Sequence, residues 1–265
     1  MEVHHHPHVG SDSHRKKNFK EYFFEFLMIF LAVFLGFIAE NIREKLSDRS
    51  KGKEYVISIK KDLVADTAAI NDFIPVLFFR IHQLDSLIYL LQQPQPVSNG
   101  GSLYYLARSS TRVRMFEPTN TTITELEHSG NLRLITNRKV IEGLIKLEKI
   151  IGSYEALTPV DIHEADLSYP LLGNLFDASV FNTMVKTGGS DFSVDTSASI
   201  FSNLIKPTGN PQLRNHDPDK INLLIFYLHE RKSTFIGEAG ILQEQKKAAA
   251  SLLQIINKEY RLNNE

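Results

Sequence analysis

Residues 19–46 read FKEYFFEFLMIFLAVFLGFIAENIREKL, an apolar run with charges packed against both ends. From Phe26 to Ala39 every residue is apolar or glycine, and the run reaches back to Tyr22 once Glu25 is tolerated. That makes about 18 residues, the low end of what crosses ~30 Å of hydrocarbon at about 1.5 Å rise per residue. Glu25 falls one turn inside the first edge, where a carboxyl reaches the headgroups or stays protonated. Its cost there is below that of a charge at the bilayer centre.

Three readings compete for this stretch. A cleaved export signal needs a short apolar core followed by a small-x-small cleavage site. Here the run is long and rich in phenylalanine, and it ends in Ile38-Ala39-Glu40-Asn41-Ile42-Arg43 with no such site. A core helix carries a polar stripe every three or four residues, and Phe26 to Ala39 carries none. A retained single-pass anchor over residues 22–42 is the reading that fits, with Lys16, Lys17 and Lys20 before it and Arg43 and Lys45 after. The lipid bilayer is therefore the first expected partner.

Orientation is less sharply written. Arg15, Lys16, Lys17 and Lys20 lie upstream, while Arg43, Lys45, Arg49, Lys51 and Lys53 lie downstream within the window that counts. A tail this short and basic stays in the cytoplasm, so the expectation is a C-terminal part on the far side.

Upstream of the anchor, residues 1–21 form a basic, histidine-rich tail. His4, His5, His6 and His8, broken by Pro7 and followed by His14, could ligate zinc, copper or nickel through neutral imidazole. A short His-rich tract is only a compositional hint, and a mobile polar tail is the plainer reading. MEVHHHPHV at residues 1–9 and KKNFKEYFFEFLMIFLAVFLGFIAENIREKL at residues 16–46 together resemble the N-terminus of a family of uncharacterised bacterial single-pass membrane proteins. A weaker echo lies in SGNLRLI at residues 129–135. The resemblance implies native histidines, a retained anchor, a helical domain after it and a bacterial inner-membrane address. It carries no assigned activity.

Composition sets further bounds. The 265 residues carry a formal net charge of −1 with 23% charged residues, which is ordinary for a folded protein. A nucleic-acid binder shows a basic excess or stripe, so nucleic acid is not an expected partner. The absence of cysteine excludes disulfides, thiolate metal sites and cysteine nucleophiles.

Beyond the anchor, residues 43–265 read as an α-helical domain. A long helix is expected over about 44–91, where Leu63, Ile70, Ile74, Leu77, Ile81, Leu84, Ile88 and Leu91 form a heptad-like seam. Asp85 and Gln92 lie off that seam. Pro75 falls within the helix, where a kink is expected, with the register kept on both sides. QQPQPVSNGGS at residues 92–102 reads as a loop. A helical middle follows over about 103–185, with helices near Leu103–Ser109 and Thr121–His128, the latter stopped by Gly130 in a left-handed cap. Thr136 or Asn137 can cap the next helix, which carries Val140, Ile141, Leu144, Ile145, Leu147, Ile150, Ile151 and Tyr154. Pro159 and Pro170 limit or bend what comes after.

Residues 186–218 read as an irregular loop holding one short helix at Ser197–Ile205. Asp217-Pro218 then starts a long helix over about 219–261. Its seam is Ile221, Ile225, Leu228, Phe235, Ala239, Leu242, Ala249, Leu253, Ile256 and Tyr260, interrupted by Lys232 and Lys246. The fold class is all-α: a transmembrane helix, then long antiparallel helices forming a stalk or bundle, with a smaller helical region inserted. Either seam could instead pair with a protein partner or with a second copy of the chain.

Chemistry is sparse. PVDIHEAD places Asp161, His163, Glu164 and Asp166 together, and His163 and Asp166 share a helix face at i,i+3. A zincin needs His-Glu-x-x-His, and Leu167 stands at the fifth position; His229-Glu230-Arg231-Lys232-Ser233 fails likewise. His163 and Asp166 are thus weak metal candidates, with a solvated polar face as the plainer reading. Asp217 and Asp219, next to His216, are explained as helix-start residues. Arg108, Arg112 and Arg114 near Tyr104 and Tyr105 could meet an anion, though such arginines are commonly just solvated. No nucleophile elbow, dinucleotide fingerprint or Walker sequence occurs. No cofactor and no catalysis are expected. The leading expectation is a membrane-tethered helical interaction or scaffold protein, and the alternative is a sensor-like helical domain that binds a ligand and acts through a partner.

Overall fold

The computed structural model describes residues 18–94, 96–119, 121–184 and 204–262. The histidine tail and most of the helix expected at Ser197–Ile205 lie outside these residues. The chain divides into two compact units, residues 1–52 and 53–265.

The first helix, α1, runs from Phe19 to Leu91. No break separates the expected anchor from the helix expected at 44, because the sequence between Ile42 and Gly52 holds no proline or glycine and Glu40 pairs with Arg43 one turn on. In the first unit its apolar window has a mean hydropathy of 2.3, and none of it is buried. Phe23, Phe26, Phe30, Phe34 and Phe37 are all more than half or about half exposed. Phe26, Phe30 and Phe34 stack one turn apart, with ring centroids 6.2 and 5.9 Å from their neighbours. A core helix buries its apolar face against its own protein; this one buries nothing, and by length and composition it is able to cross a membrane.

The second unit is all-α among the described residues. After α1 come α2 (Gly100–Ser110), α3 (Thr121–His128), a 3-10 turn (Asn131–Leu134), α4 (Arg138–Glu155), α5 (Thr158–Leu175), α6 (Ala178–Asn182) and α7 (Pro218–Tyr260). The C-terminal part of α1 and α7 lie antiparallel: Lys60 donates to the Leu262 carbonyl at one end, and Lys232 pairs with Asp85 towards the other. Between α2 and α3 the chain returns along α1, with Thr119 N–H on Asp66 and Thr122 N–H on Asp62. Helices α4 and α5 then run in tandem against α7, from the Lys139–Glu259 pair at one end to Asp161–Arg231 further along. The result is a helical bundle whose shared core draws on α1, α4, α5 and α7, with the return segment packed along it.

The local signals explain the boundaries. Asn137 Oδ1 accepts from the N–H groups of Lys139 and Val140, and Asp217 Oδ1 from Asp219 and Lys220, so each side chain satisfies donors that a helix start leaves open. Gly130 stands at φ 68°, the left-handed region that stops the α3 turn. Pro159 sits in the first turn of α5, while Pro170 and Pro75 lie inside helices that continue past them. The loop after α1 is shorter than expected, because Gly100 and Gly101 already belong to α2. Gly100 is needed there: a Cβ would meet the Pro211 carbonyl oxygen at 1.9 Å. Gly100→Ala is expected to cost about 1–3 kcal/mol, read as a lower denaturation midpoint, because backbone and not a flexible side chain stands in the way.

The core seams follow a stricter rule than apolar residues alone indicate. On α1 a buried seam runs through Val56, Ile59, Leu63, Asp66, Ile70, Phe73, Leu77, Arg80, Leu84, Leu87 and Leu91, alternating three and four, with Ile81 and Ile88, both expected in the seam, buried beside it. On α7 the seam is Leu224, Leu228, Arg231, Phe235, Glu238, Leu242, Gln245, Ala249, Leu252 and Ile256, alternating four and three, with the expected Ala239 buried beside it. Ile74, Ile221, Ile225, Leu253 and Tyr260 only flank these seams, half-buried. Lys232 and Lys246 do not interrupt the seam of α7; they stand one position beside Arg231 and Gln245, which are the residues inside it.

Candidate functional site

Polar residues at core heptad positions are expensive unless partnered, so their partners identify the chemically distinctive place in this body. Arg231 of α7 is 1% exposed, and so is Asp161 of α5. Arg231 Nε donates to Asp161 Oδ1 at 2.8 Å. Its two terminal nitrogens donate to the carbonyls of Ser110 and Arg112, where α2 ends and the return segment begins. Arg80 of α1 donates to the same Arg112 carbonyl. The two guanidiniums therefore satisfy carbonyls at the C-terminal end of α2, where the helix dipole also favours cations.

Phe235 lies against both. The Arg80 guanidinium carbon is 4.1 Å from its ring centroid, and that of Arg231 is 5.3 Å away. Dehydrated cation–π contacts of this kind contribute up to about 2 kcal/mol. Burial, reinforced by the neighbouring Arg231, lowers the Arg80 pKa to about 10.

Three acidic or phenolic groups close the cluster. Glu238, one heptad after Arg231, is 3% exposed, and burial together with the Asp161 charge pushes its pKa up to about 7. Glu164 is also raised, by burial first, while it accepts from the Thr234 hydroxyl at 3.0 Å. Tyr154 of α4 is raised by burial, and its oxygen accepts the Phe116 N–H at 2.8 Å. Tyr154→Phe strands that buried N–H, and a loss of about 1–3 kcal/mol in chemical denaturation is expected. Asp161 Oδ2, Glu164 Oε2, Glu238 Oε2 and Arg80 Nη1 are buried without a hydrogen-bond partner among the described residues.

The PVDIHEAD stretch is thus split between two environments. Asp161 points inward to Arg231 and Glu164 is half-buried, whereas His163 and Asp166 stand on the exposed face of α5. The expected solvated face holds only for the latter pair. No group of three His, Asp or Glu residues able to hold a metal occurs among the described residues. His4, His5, His6 and His8 lie outside them. His216 and His229 are exposed, and Asp217 serves as the cap of α7.

The arginine trio is less solvated than expected. Arg112 is half-buried, with its pKa lowered by burial and then by Arg108, and Arg114 lies 5.6 Å from the Phe73 ring centroid. Arg80, Arg231 and Glu238 are the residues that sequence reasoning missed. The available signal was the strict three-four spacing, which passes through them only when charge is ignored.

A separate groove of about 530 Å³ is lined by Asp85, Ser86 and Tyr89 of α1 and by Ser102 and Tyr105 of α2, with Asn99 between. No family model, curated protein or solved structure matches this chain.

Proposed function

We propose that the protein is a membrane-tethered helical interaction protein that performs no catalysis. Residues 22–42 hold it in a bacterial inner membrane, Arg15, Lys16, Lys17 and Lys20 stay in the cytoplasm, and the helical body stands in the periplasm. The observation that carries this reading is the contrast along α1. Its apolar stretch is unburied, whereas within the body its buried Arg80 donates to a backbone carbonyl that Arg231, paired with Asp161, also holds. A nucleophile or general base needs a reachable reacting atom; Asp161 and Arg231 are spent on each other inside the bundle.

The body also exposes large apolar side chains fit for a protein partner or a second copy, including Phe79 at 59%, Phe226 at 54% and Ile236 at 53%. Photo-cross-linking amino acids at Phe79, Phe226 and Ile236 of the full chain in cells provide the test. The reading expects a discrete protein adduct from at least one site, and three sites without any adduct would contradict it.

The groove beside Tyr89 and Tyr105 favours a second reading, a sensor-like domain, since its size suits a small molecule. That reading expects ligand-induced thermal stabilisation that Tyr105→Ala abolishes.

A further inference from the structure

We propose that Glu238 is a proton-operated switch on the packing of the bundle, and that the protein's conformation therefore responds to pH. The inference concerns the body alone and does not rest on the tether, on its orientation or on any partner.

The geometry comes first. Glu238 occupies a core heptad position of α7, between Phe235 and Leu242, with 3% of its surface exposed. Within electrostatic reach of it lie Arg80 on α1, Tyr154 on α4, Asp161 and Glu164 on α5, and Arg231 along α7 itself. The return segment contributes the Arg112 carbonyl, already occupied by both arginines. Around one carboxyl there are thus two cations and two other carboxyls, and one of the cations is already paired to Asp161.

Neutral Glu238 leaves that balance undisturbed. Ionised Glu238 adds a third carboxylate to a dehydrated cluster with two cations, and a buried carboxylate demands donors. Its Oε2 has no partner among the described residues; of the buried arginine nitrogens likewise without one, on Arg80, Arg108 and Arg112, only Arg80 Nη1 belongs to a cation that acts on Glu238. Ionisation recruits that group, drawing Arg80 away from Phe235 and the Arg112 carbonyl and repacking α1 against α7.

The direction follows from linkage. Burial raises the pKa of folded Glu238 from the ordinary 4.5 to about 7, so between those values the folded chain binds more protons than the unfolded one. Stability then falls as pH rises through that window, by up to about tenfold in the folding equilibrium constant per pH unit, and levels off above it. Glu164, raised in the same direction, adds to the fall. Asp177, Asp217 and Glu259 are lowered by their hydrogen bonds, so they oppose it only at the acid end.

The test is the thermal midpoint of the full chain in nonionic detergent between about pH 5 and pH 8, for wild type, Glu238→Gln and Glu164→Gln. The expected result is a midpoint that falls with pH in wild type, nearly as steeply in Glu164→Gln, and much less steeply in Glu238→Gln, where only the smaller Glu164 contribution remains. A level wild-type profile, or an undiminished slope in Glu238→Gln, would overturn the proposal. If Glu238→Gln does not fold, infrared spectroscopy of the wild type decides. A protonated-carboxyl stretch present at about pH 6 and lost by about pH 8.5 supports the switch, and its absence at about pH 6 overturns it.

Discussion

Arg231→Met lowers the unfolding free energy of the helical body by about 3–5 kcal/mol, the scale on which a buried ion pair resists loss of one partner. Methionine keeps much of the unbranched stem, so packing around Phe235 changes little. What is lost is electrostatic. Asp161, 1% exposed, keeps a charge with no cation bonded to it, and the Ser110 carbonyl loses its donor. Arg112 still accepts from Arg80, which limits the damage at that carbonyl.

The double variant Arg231→Met/Asp161→Leu separates this from a loss of volume. Removing both charges together is often neutral, so the double variant recovers most of the stability that the single one loses. Chemical denaturation of the full chain in nonionic detergent, followed by circular dichroism, measures all three proteins. A single variant within about 1 kcal/mol of wild type would mean that the pair contributes only as a surface pair does.

The second large effect concerns the anchor. Leu31→Arg/Leu35→Arg places two charges near the middle of residues 22–42, each costing about 2.5–3.5 kcal/mol on the insertion scale. An apolar run of this length gains on the order of 5 kcal/mol on that scale, so the two arginines cancel it. The wild type is expected to stay with membranes through an alkaline carbonate wash, and the double variant to be released in soluble form. The body should remain folded in the variant, since both substitutions lie in the first unit and the hydrophobic core of the body is built from Val56 onward. Carbonate extraction of the wild type would contradict the anchor.

Much of the fold was legible because periodicity and caps speak locally. Asn137, Gly130 and the Asp217-Pro218 start act through hydrogen bonds and backbone conformations within a few residues, and they begin or end helices where expected. The seam was legible only in part. Treating charge as a mark of the solvent face moved part of the α7 register onto Ile221, Ile225 and Leu253 and hid Arg231 and Glu238; the burial of Arg231 depends on Asp161, 70 residues earlier in the chain. No local rule carries that information, because the partner that makes burial tolerable comes from another helix. The same holds for PVDIHEAD: its residues could be counted from the sequence, but which of them faces inward is decided by α7.

Membrane topology is the measurement that tests the account most directly. The chain has no cysteine, so a single one at the exposed Ser153 of α4 reports on the body without background. Intact cells are treated with a membrane-impermeant maleimide, and the protein is recovered from carbonate-washed membranes. The account predicts labelling without lysis, with the body outside the cytoplasm and the chain retained in the membrane. Labelling only after lysis would contradict it and place the helical body in the cytoplasm.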